Sequence, residues 1–314
     1  MAEFDLIAAI HARAAVRDDV VLGIGDDAAL LQPPLGMQLA VSMDTLNAGV
    51  HFPDGTAPAD IGWKALAVNL SDLAAMGAAP AWCTLALSLP QADAGFVDGF
   101  LDGFLSLARA HDVALVGGDT TRGPLSISVT VHGFVPPGQA LRRDGARCGD
   151  DVWVSGPLGD AAAALAQWQA GVEIVAALRQ RLDRPTPRVA LGQALRGLAS
   201  ACIDISDGLL ADLGHVCAAS GVGARIDLPA LPASPALRDA FSGDALVRLQ
   251  ASGGDDYELC FTAPADARAA VVALAVEGCV PARVGRIVAG QRVVALDAGG
   301  RPWQPDHAGY QHFD

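Results

Sequence analysis

The segment Gly23-Ile24-Gly25-Asp26-Asp27-Ala28-Ala29-Leu30-Leu31, GIGDDAALL, places two glycines and two adjacent acids directly before an apolar run. The hydrophobic pattern points Asp26 and Asp27 inward. A buried carboxylate pair is costly unless something positive neutralises it. The device recurs along the chain. Asp44 follows a short apolar stretch in VSMDT, Asp119 sits in VGGDTTRG, Asp204 and Asp207 in DISDGL, and Asp255 and Asp256 in SGGDDYEL. Asp72, in AVNLSDLAAMG, belongs with them on a helix, with Asn69 three residues earlier on the same face. Taken singly, each is an ordinary turn, and SDGLLADL also reads as a helix N-cap. Six such places in one chain exceed what turns alone account for.

Clustered carboxylates with few nearby bases point to hard cations. Mg²⁺ takes oxygen ligands and is held by one or two carboxylates together with substrate phosphates. Metal charge would offset Asp26 and Asp27, and the flanking glycines would let the backbone approach phosphate oxygens. Other schemes are absent. The chain has no phosphate loop of the GxxxxGK[ST] type, no kinase HRD or DFG, no HExxH zinc spacing and no GxSxG elbow. SMDTL lacks the paired acids of an aspartyl-phosphate enzyme, and DISDGL lacks the calcium-loop spacing. The six cysteines are scattered without a CxxC pair and read as small buried residues, not a disulfide framework. His132 reads as structural.

The totals fit this picture. A length of 314 residues predicts two domains, each with a real core. The net charge is −14 with no Lys/Arg-rich block, which argues against nucleic acid as a partner. No apolar run reaches membrane-span length. The opening Met1-Ala2-Glu3-Phe4-Asp5 lacks a signal-peptide pattern, so the expectation is a soluble, cytoplasmic protein.

Along the chain, helices are expected over residues 3–13, 58–77, 96–110, 160–170, 188–199 and 209–219. Strands are expected over 37–43, 82–89, 113–116, 125–131, 151–154, 201–205, 256–262, 282–288 and 292–297. In the strand at 125–131, Leu125, Ile127, Val129 and Val131 share one face and Ser126, Ser128 and Thr130 the other. FVPPGQALRRDGARCGD, rich in Pro, Gly and charge, marks a boundary between domains at 1–140 and 141–314. Helices and strands alternate without a strict βαβ repeat, which favours α+β.

The ordered set GIGDDAALL, VSMDTLNAGVHF, KALAVNLSDLAAMGA, VGGDTTRGPLSISVTVHG, DISDGLLADLGH and SGGDDYELCF resembles the thiamine-monophosphate kinase family. That family lies in the superfamily typified by aminoimidazole ribonucleotide synthetase. The resemblance runs from Gly23 to Phe261, and the first helix and closing GYQHF extend it over nearly the whole chain. It implies an N-terminal α/β domain that pairs with a second copy through its sheet into a homodimer, and a C-terminal α+β domain. It implies transfer of the ATP γ-phosphoryl group to thiamine monophosphate, with several Mg²⁺ ions bridging the phosphates. The metal acids implied are Asp27, Asp44, Asp72, Asp119, Asp204 and Asp207, with Ser42 beside them. Met43 stands where relatives often carry Thr, so only its backbone carbonyl could serve. Gly118, Asp119, Arg143 and Ser206 correspond to nucleotide contacts, and His51, Glu258 and Phe313 to substrate contacts.

The implied chemistry agrees with the residue inventory. A phosphate monoester acceptor, with a second pKa near ~6, is already largely dianionic at neutral pH and needs no side-chain base. Positioning and charge neutralisation then carry the reaction. Two alternatives stay open on the sequence: another ATP-using synthetase of the superfamily, and a non-catalytic Mg-nucleotide sensor. A selenophosphate synthetase would carry a reactive Cys and Lys before GIGDD, and neither is there.

Overall fold

Pro58 fixes the first turn of a long helix, and Gly77, at φ +64°, follows its end. Around this helix the computed structural model, which describes residues 3–305, 307, 309 and 310, builds the first of two units. This unit spans Met1–Leu73 and Ala78–Gly138; Ala74–Gly77 group with the second unit, Gln139–Asp314. Its elements are α1 (Glu3–Arg13), β1 (Val20–Leu22), β2 (Leu30–Leu31), β3 (Gln38–Asn47), α2 (Pro58–Ala75), β4 (Ala79–Leu89), α3 (Ala94–Ala110), β5 (Ala114–Arg122) and β6 (Ser126–Val135). Four strands form a sheet in the order β3-β6-β4-β5, antiparallel except for β4 with β5.

Cross-strand partners share a sheet face, so the register identifies the two surfaces. Ser42 lies opposite Val131 and Asp44 opposite Val129. This face carries α2, because Asp72 and Asn69 of that helix meet Ser42 and Asp44. Ile127, Val129 and Val131 are fully buried there, as are Leu66, Leu70 and Leu73 of α2. The expected apolar face is therefore covered from within the chain. On the other face, Met43 pairs with Thr130 and Val41 with His132. One end of that face is closed by a small core of Trp82, Phe134, Val20 and Leu31, where the two rings meet edge to face at 5.0 Å.

The second unit contains β7 (Asp151–Val154), α4 (Asp160–Gln169), α5 (Ala176–Asp183), α6 (Val189–Ala194), β8 (Ala201–Asp204), α7 (Leu209–Ser220) and β9 (Gly223–Asp227). It continues with α8 (Pro235–Ala240), α9 (Gly243–Ser252), β10 (Leu259–Ala263), α10 (Arg268–Val272), β11 (Ala282–Val288), β12 (Val293–Leu296) and β13 (Pro302–Trp303). Its seven-stranded sheet runs β13-β12-β9-β11-β7-β10-β8 and is antiparallel apart from β9 with β12. Mixed sheets with helices packed on them make the chain α+β. The strands expected to end at 43 and 116 run on to Asn47 and Arg122, so Asp44 and Asp119 lie within strands, and two further boundaries differ for a backbone reason. The strand expected from Asp256 begins at Leu259, because Asp255 (φ 66°) and Tyr257 (φ 49°) sit in the left-handed region and cannot be extended. The helix expected over 188–199 stops at Ala194, ahead of the turn at Gly197, φ 74°.

Candidate functional site

In the first unit the acids gather at the edge strand β3 and the facing side of α2. Ser42 Oγ donates to Asp72 Oδ2 at 2.5 Å, and the Asp44 N–H donates to Asn69 Oδ1 at 2.9 Å. Asn69 is itself fixed by its amide donating to the Ala65 carbonyl at 2.9 Å. Burial, reinforced by the charge of Asp72, pushes the Asp44 carboxyl up to about 6. Asp44 and Asp72 therefore form a half-buried anionic pair with a hydroxyl at its rim. Met43 lies on the opposite face and is 60% exposed, so its side chain takes no part.

Asp119 is exposed on β5. Beside it, a side chain at Gly118 would place a Cβ 1.8 Å from the Leu85 carbonyl oxygen, so only glycine permits the β4–β5 pairing there. Gly118 and Asp119 border a cavity of about 90 Å³ walled by Ile7, Ile10, Ile24 and Leu85. His51 Nδ1 accepts from the Asn47 N–H at 3.0 Å, which leaves the proton of a neutral ring on Nε2. The His51 carbonyl accepts from Lys64 Nζ at 3.0 Å, and Lys64 is buried. Asp26 and Asp27 correct the opening expectation. Both are exposed on the β1–β2 turn, where the Asp27 N–H donates to Asp26 Oδ1 at 2.8 Å. They form a solvated pair, not a buried one.

In the second unit the DISDG segment leaves the end of β8. Asp204 is 5% exposed, and Ser206 and Asp207 are half-buried. Asp212, which the sequence reading passed over as part of a helix, organises this loop. Its Oδ2 accepts from the N–H groups of Ser206, Asp207 and Gly208 at 3.0, 3.1 and 3.1 Å. Burial and the neighbouring Asp207 push Asp212 up to about 7, against the pull of those three donors. Donor atoms of Asp207, Asp212 and His215 lie within 4.8 Å of one another. An acid in the first turn after a glycine loop was the available signal. The SGGDDYEL segment wraps the same loop: the Asp255 N–H donates to the Ser206 carbonyl and the Tyr257 N–H to the Ile205 carbonyl, both at 2.8 Å.

Glu258 is the largest departure. It is 0% exposed. Its carboxylate accepts from Arg188 Nε at 2.8 Å and Arg181 Nη2 at 2.6 Å, and also from Arg188 Nη2 and Ser155 Oγ. In this structure both oxygens are engaged by partners within the second unit. Arg143 has an exposed side chain, and its carbonyl accepts from Ser220 Oγ at 2.8 Å. Phe313 lies outside the described residues.

The donor chemistry fits a hard divalent cation. Ser42, Asp44 and Asp72 offer oxygen atoms only, and burial together with the charge of Asp72 raises the Asp44 carboxyl.

Comparison with known proteins bears on the same residues. Family models described as AIR synthase related protein, N-terminal domain, and AIR synthase related protein, C-terminal domain, match residues 25–135 and 147–297. A thiamine-monophosphate kinase of Escherichia coli is 50% identical over 318 residues, covering 99% of this chain and 98% of the relative. The crystal structure of a thiamine-monophosphate kinase from Stenotrophomonas maltophilia superposes with a TM-score of 0.88 at 59% identity, over 94% of this chain and 96% of that one. A solved complex of AaThiL with AMPPCP and TMP gives a TM-score of 0.80 at 33% identity, over 99% and 97% of the two chains.

Proposed function

We propose, for a chain that belongs to the AIR synthase related family and within it to the thiamine-monophosphate kinases, a reaction in which ATP phosphorylates thiamine monophosphate to thiamine diphosphate. One observation carries this reading. The anionic Ser42–Asp44–Asp72 cluster stands in a chain half identical, over its whole length, to a thiamine-monophosphate kinase.

The acceptor phosphate is a dianion and attacks the ATP γ-phosphorus directly, in line, with no covalent enzyme intermediate. No side chain serves as base. Asp27, Asp44, Asp72, Asp119, Asp204 and Asp207 would hold several Mg²⁺ ions, with Ser42 and the Met43 carbonyl as further oxygen donors. When bound, Mg²⁺ supplies positive charge to the phosphate oxygens. The chain contributes positioning. Asn69 fixes the backbone of β3 so that Ser42 and Asp44 face α2. Asp212 fixes the Ser206–Gly208 backbone and so aims Asp207. Gly118, Asp119, Arg143 and Ser206 are assigned to the nucleotide. His51, with its proton on Nε2, is assigned to the acceptor, and Phe313 remains a proposed contact from the sequence alone.

The protein acts as a homodimer in the cytoplasm, without nucleic acid or membrane. Support for the last point is that no helix among the described residues is long and apolar enough to cross a membrane. The test is turnover of ATP with thiamine monophosphate or with thiamine in the presence of Mg²⁺. Thiamine diphosphate should form from the phosphate ester, and free thiamine should be essentially inert, because an alcohol acceptor offers no phosphate to the proposed metal ions and must first lose a proton. Comparable kcat/KM for the two acceptors would overturn the reading.

A further inference from the structure

A cavity of about 630 Å³ opens in the second unit between α8, α9 and the β12–β13 edge. It is of a size that holds a nucleotide-sized molecule. In the seven-stranded sheet, β12 and β13 lie at one end and β8, which carries Asp204, at the other. Within this unit the cavity and Asp204 thus lie toward opposite ends of the sheet.

Its lining has a definite chemistry. Trp303 forms a planar wall, pinned because its Nε1 donates to Asp244 Oδ1 at 2.8 Å. Leu231, Leu246 and Val247 form an apolar floor. Two acids also line it, yet both are already compensated. Asp244 Oδ2 accepts from Arg248 Nε at 2.5 Å, and Asp297 accepts from Arg301 Nε at 3.0 Å and from the N–H groups of Gly299 and Arg301. Two polar groups retain free capacity. Gln250 is 4% exposed, and its amide nitrogen donates to the Leu231 and Pro232 carbonyls at 3.2 and 2.9 Å. This locks the amide, and among the described residues no donor to Oε1 is seen. Arg238 is exposed and lines the cavity, and among the described residues only its Nη2 is engaged, donating to the Ala233 carbonyl at 2.6 Å.

We infer that this cavity is a second small-molecule site, for an amino-substituted heteroaromatic ring that carries an anionic arm. The ring stacks on Trp303, its amino group donates to Gln250 Oε1, and the anion meets Arg238. The inference does not depend on the kinase reading.

Fluorine NMR tests it on the full chain labelled with 5-fluorotryptophan. The five tryptophans give five resonances, and Trp303→Phe assigns the one that matters. Metal is withheld with EDTA to keep nucleotide away from the acid cluster. The probes are adenosine 5′-monophosphate and cytidine 5′-monophosphate, which separate an aminopurine from an aminopyrimidine. At least one should shift the Trp303 resonance saturably. Adenosine, which lacks the anion, should bind about fivefold or more weakly, as should the nucleotide to Arg238→Gln. Gln250→Met removes the acceptor and should weaken binding of either nucleotide by a similar factor. Arg238 is exposed, so Arg238→Gln should leave the other four resonances in place and report binding alone. A Trp303 resonance unmoved by about 10 mM of either nucleotide overturns the inference. So does one midpoint shared by the nucleotide, the nucleoside and Arg238→Gln.

Discussion

Two aspartates of the first unit show how the fold sets a carboxylate to its task. Asp44 is raised by burial and by the charge of Asp72. Asp44→Asn or Asp72→Asn should lower turnover by about a hundredfold or more while circular dichroism stays native. Wild-type turnover in either variant would remove that acid from the essential set. Asp19 is the opposite case. It accepts from Arg17 Nε and Nη2 and from Trp82 Nε1, each at 2.9 Å, and the hydrogen bond from Arg17 leads in holding its pKa low. A lowered folded pKa gives stability that is full above the unfolded value and is lost as pH falls through the folded one. Asp19→Asn should therefore cost about 1 kcal/mol at pH 7, and the difference from wild type should shrink as acid protonates Asp19. A difference independent of pH would show that packing, not charge, is what Asp19 contributes. Glu258 makes a third contrast. Glu258→Gln leaves Arg188 buried without its counter-ion and should lower stability by about 3 kcal/mol in urea titration. If instead stability held and only the acceptor KM rose, the interior role would be wrong.

The same logic reaches the helices. α2 and α3 cross with their backbones almost in contact. A Cβ on Gly62 would lie 2.0 Å from the Phe100 carbonyl oxygen, and one on Gly103 would lie 1.7 Å from that of Ala59. Gly103→Ala must push the helices apart and should lower stability by about 1–3 kcal/mol. An unchanged melting temperature would mean that the crossing yields easily. These glycines were legible in the sequence only as helix residues, because their role depends on a partner far along the chain. α2 itself was legible, since Pro58 and Gly77 mark its ends and its apolar residues repeat at helical spacing. The cluster on β3 and α2 was legible too, from acids following short apolar runs. Asp212 was legible only as an acid in the first turn of its helix, because its bonds to three N–H groups exist only once the DISDG loop has turned back on that helix. The exposure of Asp26 and Asp27 was not legible. A hydrophobic pattern gives the inward side of a regular element, and these two sit in a turn that has none.

At the scale of the whole molecule, the proposed homodimer bears on the sheet face that the first unit leaves open. The alternation at 125–131 puts Ile127, Val129 and Val131 on one apolar face of the sheet. They are covered by the chain itself, and the surface to explain is the reverse one. There Leu39 is 49% exposed, Val41 56% and Met43 60%, in a row along β3, with Ser128 and Thr130 beside them on β6. β3 is also an edge strand, so its outer side carries no strand partner. Exposed aliphatic residues aligned on one strand are the usual mark of an interface, and a two-fold axis across this face would bury the row against its own copy. Sedimentation at micromolar concentration should give a dimer. Val41→Asp should shift it to monomer without lowering the melting temperature of the isolated fold by more than about 1 kcal/mol equivalent, because residue 41 is exposed in the single chain. Thr130→Arg, on the neighbouring strand of the same face, should act in the same direction. A wild-type monomer, or a dimer indifferent to both changes, would move the contact elsewhere. Ser42 and Asp44 lie on the same strand as Leu39, Val41 and Met43 but point to its other side. Pairing through this face would therefore hold rigid the strand that carries the acids, so the Val41→Asp monomer should lose turnover more steeply than it loses stability.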